Sequence, residues 1–324
     1  MTPNRALEWT SPETQPLILG FLCFLTLILF SAAVWPKLKV LLNAKKTVRS
    51  DRIFERIATT LKIAFGQSKL MQEKGAGWMH ALIFWGFLIL LFRAAEFFLI
   101  GLFPESDFSF PGSTPLFTAY AWVKDLTIIL VTLAVFYALY RRLVLKPKRL
   151  TLSGEGLAIL VLILAIMVSD MLFEATYLAI NPEGDSGPIG LVLASVFSGH
   201  NILGYLHSLS YWTHVTSILL FLVLLPRSKH FHILTSIPNV FFSKLGPGNG
   251  LSRIDFEEEE SFGLVHTEDL NWKQILDLHT CTQCGRCDRL CPAWATEKPL
   301  SPQQVTVDLR DHLNSAPDSN IVLP

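Results

Sequence analysis

Residues 156–180, with the sequence GLAILVLILAIMVSDMLFEATYLAI, decide the fold class of the chain. The charged side chains in this stretch are Asp170 and Glu174, and most of the others are aliphatic. As an α-helix the stretch would extend about 38 Å, which exceeds the roughly 30 Å hydrocarbon core of a bilayer. Because lipid offers an open backbone no hydrogen-bond partners, the stretch predicts a membrane-spanning helix.

Four further apolar stretches have the length and composition of spanning helices. They cover residues 16–34, 77–102, 122–140 and 203–225. Residues 189–197 are apolar but too few to cross, so we expect them at a membrane interface. The first stretch does not fit a cleaved signal peptide, because its positive charges follow the apolar run. These stretches predict an all-α membrane protein with a five-helix transmembrane bundle.

The composition supports this fold class. Hydrophobic residues make up 51% of the 324 residues, and charged residues make up 17%, below the usual share of about 25%. The 27 basic side chains are balanced by 27 acidic ones. A nucleic-acid-binding protein needs a basic surplus to meet phosphates, so we expect membrane lipid as a partner and no nucleic acid.

The distribution of lysine and arginine predicts the orientation. Residues 37–74 contain ten basic side chains and residues 141–149 contain five, whereas residues 102–121 and 181–202 contain none. Cytoplasmic loops carry the excess of basic residues. We therefore expect a multi-pass protein with its N-terminus outside and its C-terminal part in the cytoplasm.

Outside the spans, two regions have their own patterns. Ile53, Ile57 and Leu61 recur at helical spacing beside Arg52 and Arg56, which predicts an amphipathic helix on the inner membrane surface. Lipid-facing packing is favoured there over a partner-binding role.

After the last span the composition becomes polar. Residues 246–250 read GPGNG and residues 257–260 are four glutamates, which favours a solvated linker over an acidic docking patch. We predict a membrane domain over residues 1–235, a linker over 236–270 and a small soluble domain over 271–324.

Four cysteines near the C-terminus form the most specific motif. Cys281, Cys284, Cys287, Cys291 and Pro292 give C-x2-C-x2-C-x3-C-P, the spacing of bacterial [4Fe–4S] ferredoxins. Zinc sites more often pair two separated C-x-x-C arms, so the cluster is favoured over zinc or free thiols. The motif predicts a cytoplasmic, ferredoxin-like iron–sulfur domain.

This predicted domain lacks a second motif. In two-cluster ferredoxins the fourth cysteine of each motif binds the other cluster. Cys23 lies in the first span and cannot substitute. Either Cys291 completes its own cluster, or a missing C-terminal segment or a second iron–sulfur chain supplies the other half. The second alternative is favoured, with an incomplete domain and a chain that is the front part of a longer protein.

Histidine inside a membrane segment is costly and indicates function. His80 lies at the inner end of the second span, and His214 precedes His232 by eighteen residues, or five turns of one continuous helix. On such a helix the last two share a face about 27 Å apart, as axial ligands of two stacked haems would. Simple hydrogen bonding within the bundle is the alternative. His230 is an alternate ligand, and a structural or quinone-site role is favoured for His207.

Four charged residues also fall within spans. Arg93 and Glu96 lie in the outer half of the second span, and Asp170 and Glu174 lie at similar depth in the fourth. We expect the arginine to offset the burial of the carboxylates opposite it. A haem-propionate or quinone site that releases protons outward is the alternative.

The histidine pattern resembles the gamma subunit of respiratory nitrate reductases, a dihaem cytochrome b that exchanges electrons with quinol. The resemblance rests on His214-x11-Pro226-x5-His232 and on His80. It implies a haem b domain in which His80 pairs with His232 near the cytoplasm, and depth counting leaves His214 open as the partner instead. The pattern has a further histidine where this chain has Leu90, so one haem is expected and a second is in doubt.

The C-terminal motifs are similar to membrane-bound heterodisulfide-reductase-related iron–sulfur proteins. The similarity rests on KHFHIL at residues 229–234, on the cysteine motif, and on KPLSP at residues 298–302. Some members pass electrons from electron-transfer flavoprotein to menaquinone. Members also carry a second cysteine motif and cysteine-rich modules, which this sequence does not contain.

Together the resemblances imply an oxidoreductase of the bacterial inner membrane. Electrons would pass from a reduced soluble donor such as electron-transfer flavoprotein, through a [4Fe–4S] cluster and haem b, to a quinone. One alternative is a quinol-dependent enzyme that reduces a cytoplasmic disulfide. Another is a non-catalytic membrane anchor that relays electrons for partner subunits.

Overall fold

The computed structural model describes residues 11, 13–104, 115–147, 153–182, 186–199, 201–245 and 266–315. Within these ranges the regular elements are helices. In chain order the α-helices are α1 Thr14–Asn43, α2 Ile53–Thr60, α3 Ala76–Leu102, α4 Pro115–Tyr140, α5 Gly154–Ile180, α6 Pro188–Phe197, α7 Leu203–Leu224, α8 His232–Phe241, α9 Trp272–Thr280, α10 Arg286–Leu290, α11 Pro292–Ala295 and α12 Pro302–Ser315.

Five of the described helices are long and apolar enough to cross a membrane: α1, α3, α4, α5 and α7. The five predicted spans are therefore confirmed by length and composition. The largest difference is in α1, which continues through Pro36 to Asn43 instead of ending at residue 34. Helix α6 has ten residues and is too short to cross, as expected, and its place at an interface stays a prediction.

The chain forms two compact units, and the first comprises Met1–Ile28, Leu70–Pro147 and Leu152–Val223. Its core contains one cluster around Phe97, Phe173 and Tyr211, which joins α3, α5 and α7. The Tyr211 hydroxyl donates a hydrogen bond to the Phe97 carbonyl over 3.2 Å. Helices α3 and α4 approach closely at Gly86, where an added Cβ would collide with Val131. Such small residues permit tight helix packing where lipid gives no hydrophobic drive.

The predicted continuity of the fifth span through His232 is wrong. Helix α7 ends at Leu224 and is followed by the 3₁₀ turn Leu225–Arg227, an extended Ser228, and the 3₁₀ turn Lys229–Phe231. Pro226 lacks an amide hydrogen and disfavours continuation of the helix. A new helix begins at His232, so the five-turn spacing to His214 does not define a common face.

The second unit comprises Leu29–Lys69, Lys148–Thr151 and Leu224–Pro324. Its core consists of buried Leu270, Ile275, Leu278 and Leu313, packed against Val40 and Leu41 of α1, Ala44 and Leu309. The segment after α1 pairs with the segment before α9: Lys45 N–H donates to the Leu270 carbonyl over 3.3 Å, and Trp272 N–H donates to the Lys45 carbonyl over 3.1 Å. Of the predicted linker, residues 246–265 lie outside the described ranges.

The predicted amphipathic helix is present as α2, which continues into the π-helical turn Leu61–Phe65. Its buried edge carries Arg56, whose side chain donates to the carbonyls of Asp51, Phe241 and Ser243 over 2.7, 2.9 and 2.8 Å. A fourth hydrogen bond of 2.6 Å reaches the Asp51 carboxylate. Phe54 is 88% exposed. An outward apolar side is what a membrane-surface helix needs, and that location stays a prediction.

Candidate cofactor and charge sites

The four cysteines lie on a short segment that changes direction repeatedly. Helix α9 begins at a capping box, in which the Asn271 side chain accepts from two backbone amides, and ends directly before Cys281. Gln283 and Gly285 then adopt positive φ angles of 56° and 70°, which turns the chain on both sides of Cys284. Cys287 lies in α10, and Cys291 is extended before Pro292 opens α11.

A buried carboxylate holds this segment in place. Asp288 accepts hydrogen bonds from the Ser301 hydroxyl over 2.9 Å and from the Gln303 amide N–H over 2.8 Å. The Gln303 side chain donates to the Gln283 carbonyl over 3.1 Å. Ser301 also accepts from the Gln304 amide at the start of α12. The sequence did not single out Asp288, although the Ser301-Pro302 pair is a recognisable helix start.

The donor chemistry at the motif fits an iron–sulfur cluster. All four cysteines are free thiols; Cys281 and Cys291 are half-buried, and Cys284 and Cys287 are exposed. Among the described residues, no three His, Cys, Asp or Glu side chains are arranged to hold a metal ion. The structure therefore shows the thiols on one turning segment but not gathered around a point. Backbone amides in such turns favour anionic groups, including iron–sulfur clusters.

Two histidines on α7 are buried against α5. The His214 Nδ1 atom lies 3.1 Å from the Ile166 carbonyl oxygen and 3.1 Å from the Ser169 hydroxyl. Its ring stacks on Phe97 with 3.9 Å between centroids. A carbonyl accepts only, so this contact assigns the proton to Nδ1 and the lone pair to Nε2. A metal-bound histidine commonly donates its other nitrogen in this way, so His214 fits axial ligation.

His207 has the same arrangement one heptad earlier. Its Nδ1 lies 2.9 Å from the Thr176 hydroxyl and 3.2 Å from the Phe173 carbonyl oxygen, and its ring stacks on Phe173 at 4.2 Å. From the sequence, His207 and His214 were expected to have different roles only because of their different depths in the membrane. The structure gives them equivalent hydrogen-bond partners, so local geometry does not separate their roles.

The other predicted haem ligands lie on other elements. His80 is half-buried near the start of α3. His232 opens α8 with its Nδ1 2.9 Å from the Lys229 carbonyl oxygen, and burial lowers the pKa of His232. The His230 Nδ1 lies 3.2 Å from the Ser228 hydroxyl. His80 belongs to the first unit, whereas His230 and His232 belong to the second. Their role as ligands stays a prediction.

The structure brings three of the four predicted charged residues together. Arg93 donates from Nε to Asp170 over 2.9 Å and from Nη1 to Glu96 over 2.7 Å. Its guanidinium lies over the Phe97 ring, 4.9 Å from the centroid. The Asp170 and Arg93 side chains are 2% and 12% exposed. The expected role of Arg93, to offset buried carboxylates, is met by this geometry.

The fourth residue, Glu174, belongs to a separate ion pair. Its carboxylate accepts from the buried Lys124 ammonium and from the Ser186 hydroxyl. Lys124 also lies 3.3 Å from Asp125, which in turn accepts from the Ile189 amide at the start of α6 over 2.9 Å. The expectation that Arg93 faces both Asp170 and Glu174 directly is therefore wrong in part. The signal in the sequence that could have identified Lys124 and Asp125 is that they are adjacent charged residues in an apolar stretch.

Comparison with known proteins shows which named proteins the chain is similar to. The chain is similar to proteins that are named as iron–sulfur oxidoreductases. It is 34% identical over 291 residues to a probable iron-sulfur-binding oxidoreductase FadF of Bacillus subtilis. It is 33% identical over 305 residues to an EtfAB:quinone oxidoreductase of Syntrophomonas wolfei. Each alignment covers 88% of this chain, and the chain spans only 41% and 42% of these two relatives.

A shorter similarity points the same way. Over 65 residues, 20% of this chain, it is 35% identical to a probable membrane-anchored ferredoxin of Chromohalobacter salexigens, of which it covers 10%. No family model matches the chain. No solved structure matches it either. The predicted relationship to iron–sulfur oxidoreductases is thus supported, whereas the cytochrome b relationship stays a prediction.

Proposed function

We propose that the chain carries electrons across the interface between the cytoplasm and the membrane. Electrons would enter from a reduced soluble donor such as electron-transfer flavoprotein and leave on a quinone in the membrane. The observation that carries this proposal is the combination, in one chain, of five apolar helices with the C-x2-C-x2-C-x3-C-P motif. Similarity over 88% of the chain to a protein named EtfAB:quinone oxidoreductase supports it.

The chain's own residues would hold the two redox groups. Cys281, Cys284, Cys287 and Cys291 would bind a [4Fe–4S] cluster, with Asp288 bracing their segment. A [4Fe–4S] cluster and haem b, when bound, accept and release single electrons. Their potentials would depend on burial and hydrogen bonding by the surrounding side chains.

The haem would be held by histidines. His214 has the fixed tautomer that an axial ligand needs, and His80 and His232 are the further candidates, with His230 as an alternate. In the Arg93 cluster and the Glu174–Lys124 pair, buried carboxylates lie beside buried cations inside the bundle. In the reverse direction, in which a quinol is oxidised, these carboxylates would accept the two protons that the quinol loses and release them outward.

The chain would lie in the bacterial inner membrane. We propose the orientation that the lysine and arginine distribution favours, with the N-terminus outside and the cysteine segment in the cytoplasm. Membrane lipid, a quinone and a soluble donor are then its partners. A further iron–sulfur segment or chain would complete the cysteine domain.

The test measures the iron content and the optical spectrum of the purified 324-residue chain. We expect about four non-haem iron atoms per chain and a b-type band in the reduced-minus-oxidised spectrum. Cys287→Ser should remove most non-haem iron and leave the haem band, whereas the control Cys23→Ser, in α1, should change neither. His214→Ala should reduce the haem band and leave non-haem iron unchanged. Absence of both signals in the wild-type protein would overturn the proposal.

A membrane anchor that relays electrons is the second candidate, because part of the chain is similar to a protein named as a membrane-anchored ferredoxin. The two candidates differ in quinone reduction by the chain alone. If the chain reduces quinone by itself, a soluble quinone analogue added to the chemically reduced protein should reoxidise the haem band. The relay candidate does so only after a partner subunit is supplied. Reoxidation of the reduced protein by an added disulfide would favour the reverse direction, in which the protein reduces a disulfide.

A further inference from the structure

The second unit contains a cavity of about 460 Å³ that the proposed function does not use. Its polar wall is formed by Lys37 of α1, Arg227 of the turn after α7, His279 of α9 and Asn314 of α12. The remaining lining is apolar and includes Ala32, Ala33 and Pro36. Among the described residues, the lining contains the basic side chains Lys37 and Arg227 and no carboxylate. Such a wall favours an anion.

Hydrogen bonds hold both cations at the cavity. The Lys37 ammonium donates to the Asn314 side-chain oxygen over 2.9 Å. The Arg227 guanidinium donates to the Leu29 carbonyl over 3.0 Å. The carboxylate of Asp311, near Lys37, is engaged at 2.9 Å with Arg310. A lysine carries three donors and an arginine five, and both side chains line the same cavity.

An apolar groove adjoins the cavity on the same helix. This groove, with a volume of about 430 Å³, is lined by Phe30, Val34, Trp35 and Leu38, with Ser31 as its polar residue, and it shares Ala32 with the cavity. The Trp35 side chain is 62% exposed. The two spaces together offer a charged end and an apolar extension, which is the chemistry of a phospholipid.

The position along α1 agrees with a headgroup. Lys37 lies about 35 Å along the helix from Thr14, just beyond the roughly 30 Å thickness of a hydrocarbon core. The groove residues 30–35 come earlier along the helix, where acyl chains would begin. Basic pockets at this level of a membrane protein bind anionic headgroups.

We propose that this cavity and groove bind an anionic phospholipid. Lys37 and Arg227 would bind the headgroup phosphate with charge-assisted hydrogen bonds, and Phe30, Val34, Trp35 and Leu38 would contact an acyl chain. A quinone fits less well, because its neutral head gains little from two cations. A free phosphate matches the cavity but not the groove.

The experiment places the 324-residue chain in nanodiscs of phosphatidylcholine that contain a small fraction of brominated phosphatidylglycerol or brominated phosphatidylcholine. Bromine quenches the fluorescence of a nearby tryptophan. The fluorescence of Trp35 is obtained as the difference between the wild type and Trp35→Phe. We expect stronger quenching by phosphatidylglycerol. Lys37→Gln and Arg227→Gln should each weaken its relative association about fivefold, since each cation near anionic lipid contributes about 1 kcal/mol.

Two controls separate a site from general surface charge. Lys39→Gln changes an exposed lysine of α1 that does not line the cavity, and it should leave the preference intact. Lys37→Arg keeps the charge and should also retain it, which guards against loss through misfolding. Equal quenching by the two lipids, or an equal loss in Lys39→Gln, would overturn the proposal.

The remaining arms separate phospholipid from free phosphate and from quinone. Ala32→Phe fills the point where groove and cavity meet, so it should abolish the preference for phosphatidylglycerol. If millimolar inorganic phosphate abolishes the preference while Ala32→Phe leaves it unchanged, the site binds free anions and the lipid proposal fails. It also fails if a soluble quinone analogue displaces the brominated lipid and Lys37→Gln does not weaken that displacement.

Discussion

Replacement of Arg93 by methionine tests the buried charge cluster of the first unit. Arg93 lies 2.9 Å from Asp170 and 2.7 Å from Glu96, and no side chain of the three is more than 16% exposed. Arg93→Met removes two charge-assisted hydrogen bonds of about 1.5–3 kcal/mol each and leaves two carboxylates without their cation. Breaking a buried ion pair costs about 3–5 kcal/mol. We expect the free energy of unfolding to fall by that amount.

The assay is equilibrium unfolding of the purified chain in mixed detergent micelles, followed by helix content. Arg52→Met is the matched control, because Arg52 pairs with Asp51 and Glu55 while 47% exposed. Exposed pairs contribute about 0–1 kcal/mol, so this control should change little. Adding Glu96→Gln and Asp170→Asn to Arg93→Met removes the unpaired charges and should restore most of the stability.

The restored triple variant also separates the two roles considered for this cluster. If the proposed quinone reduction returns together with stability, the cluster is structural. If stability returns and quinone reduction stays slow, the carboxylates handle protons. A loss below about 1 kcal/mol in Arg93→Met, the level of an exposed pair, or a triple variant no more stable than the single one, would refute the electrostatic reasoning.

Three further predictions concern the second unit. Arg56→Met should cost about 3 kcal/mol and speed hydrogen exchange in α2 and α8, and unchanged exchange would contradict it. Asn271→Ala should cost about 1 kcal/mol through the lost helix cap, seen as faster exchange in α9 only. Arg56 and Arg52 hold the pKa of Asp51 below its ordinary value of 3.8. The difference in free energy of unfolding between wild type and Asp51→Asn should therefore be constant above pH 3.8. It should disappear as the pH falls well below 3.8. A difference that persists in acid would contradict this assignment.

The features that depend on local sequence could be predicted. The five spans follow from length and apolar composition, and the α2 helix follows from its periodicity. The cysteine motif is a spacing within eleven residues, so its presence on one turning segment needed no knowledge of distant contacts.

The features that depend on packing between helices could not be predicted. Arg93, Asp170 and Glu174 were expected at a similar depth in the membrane, yet the partner of Glu174 is Lys124. The direction in which each side chain leaves its helix decides which charges pair. The break between Leu224 and His232 was missed for another reason. The eighteen residues from His214 to His232 fit five turns of a helix, and this spacing outweighed the signal of Pro226.

The pairing of Lys45 with Leu270 and Trp272 has a consequence for biogenesis. Trp272 also donates to the Thr47 carbonyl over 2.9 Å, across 225 residues of sequence. Closing so long a loop must wait until the intervening spans have been synthesised. The segment after α1 therefore leaves the ribosome long before its partner exists, and the two can pair only after α3, α4, α5 and α7 have been synthesised. Assembly of the second unit would then follow synthesis of the helices that separate its two parts along the chain.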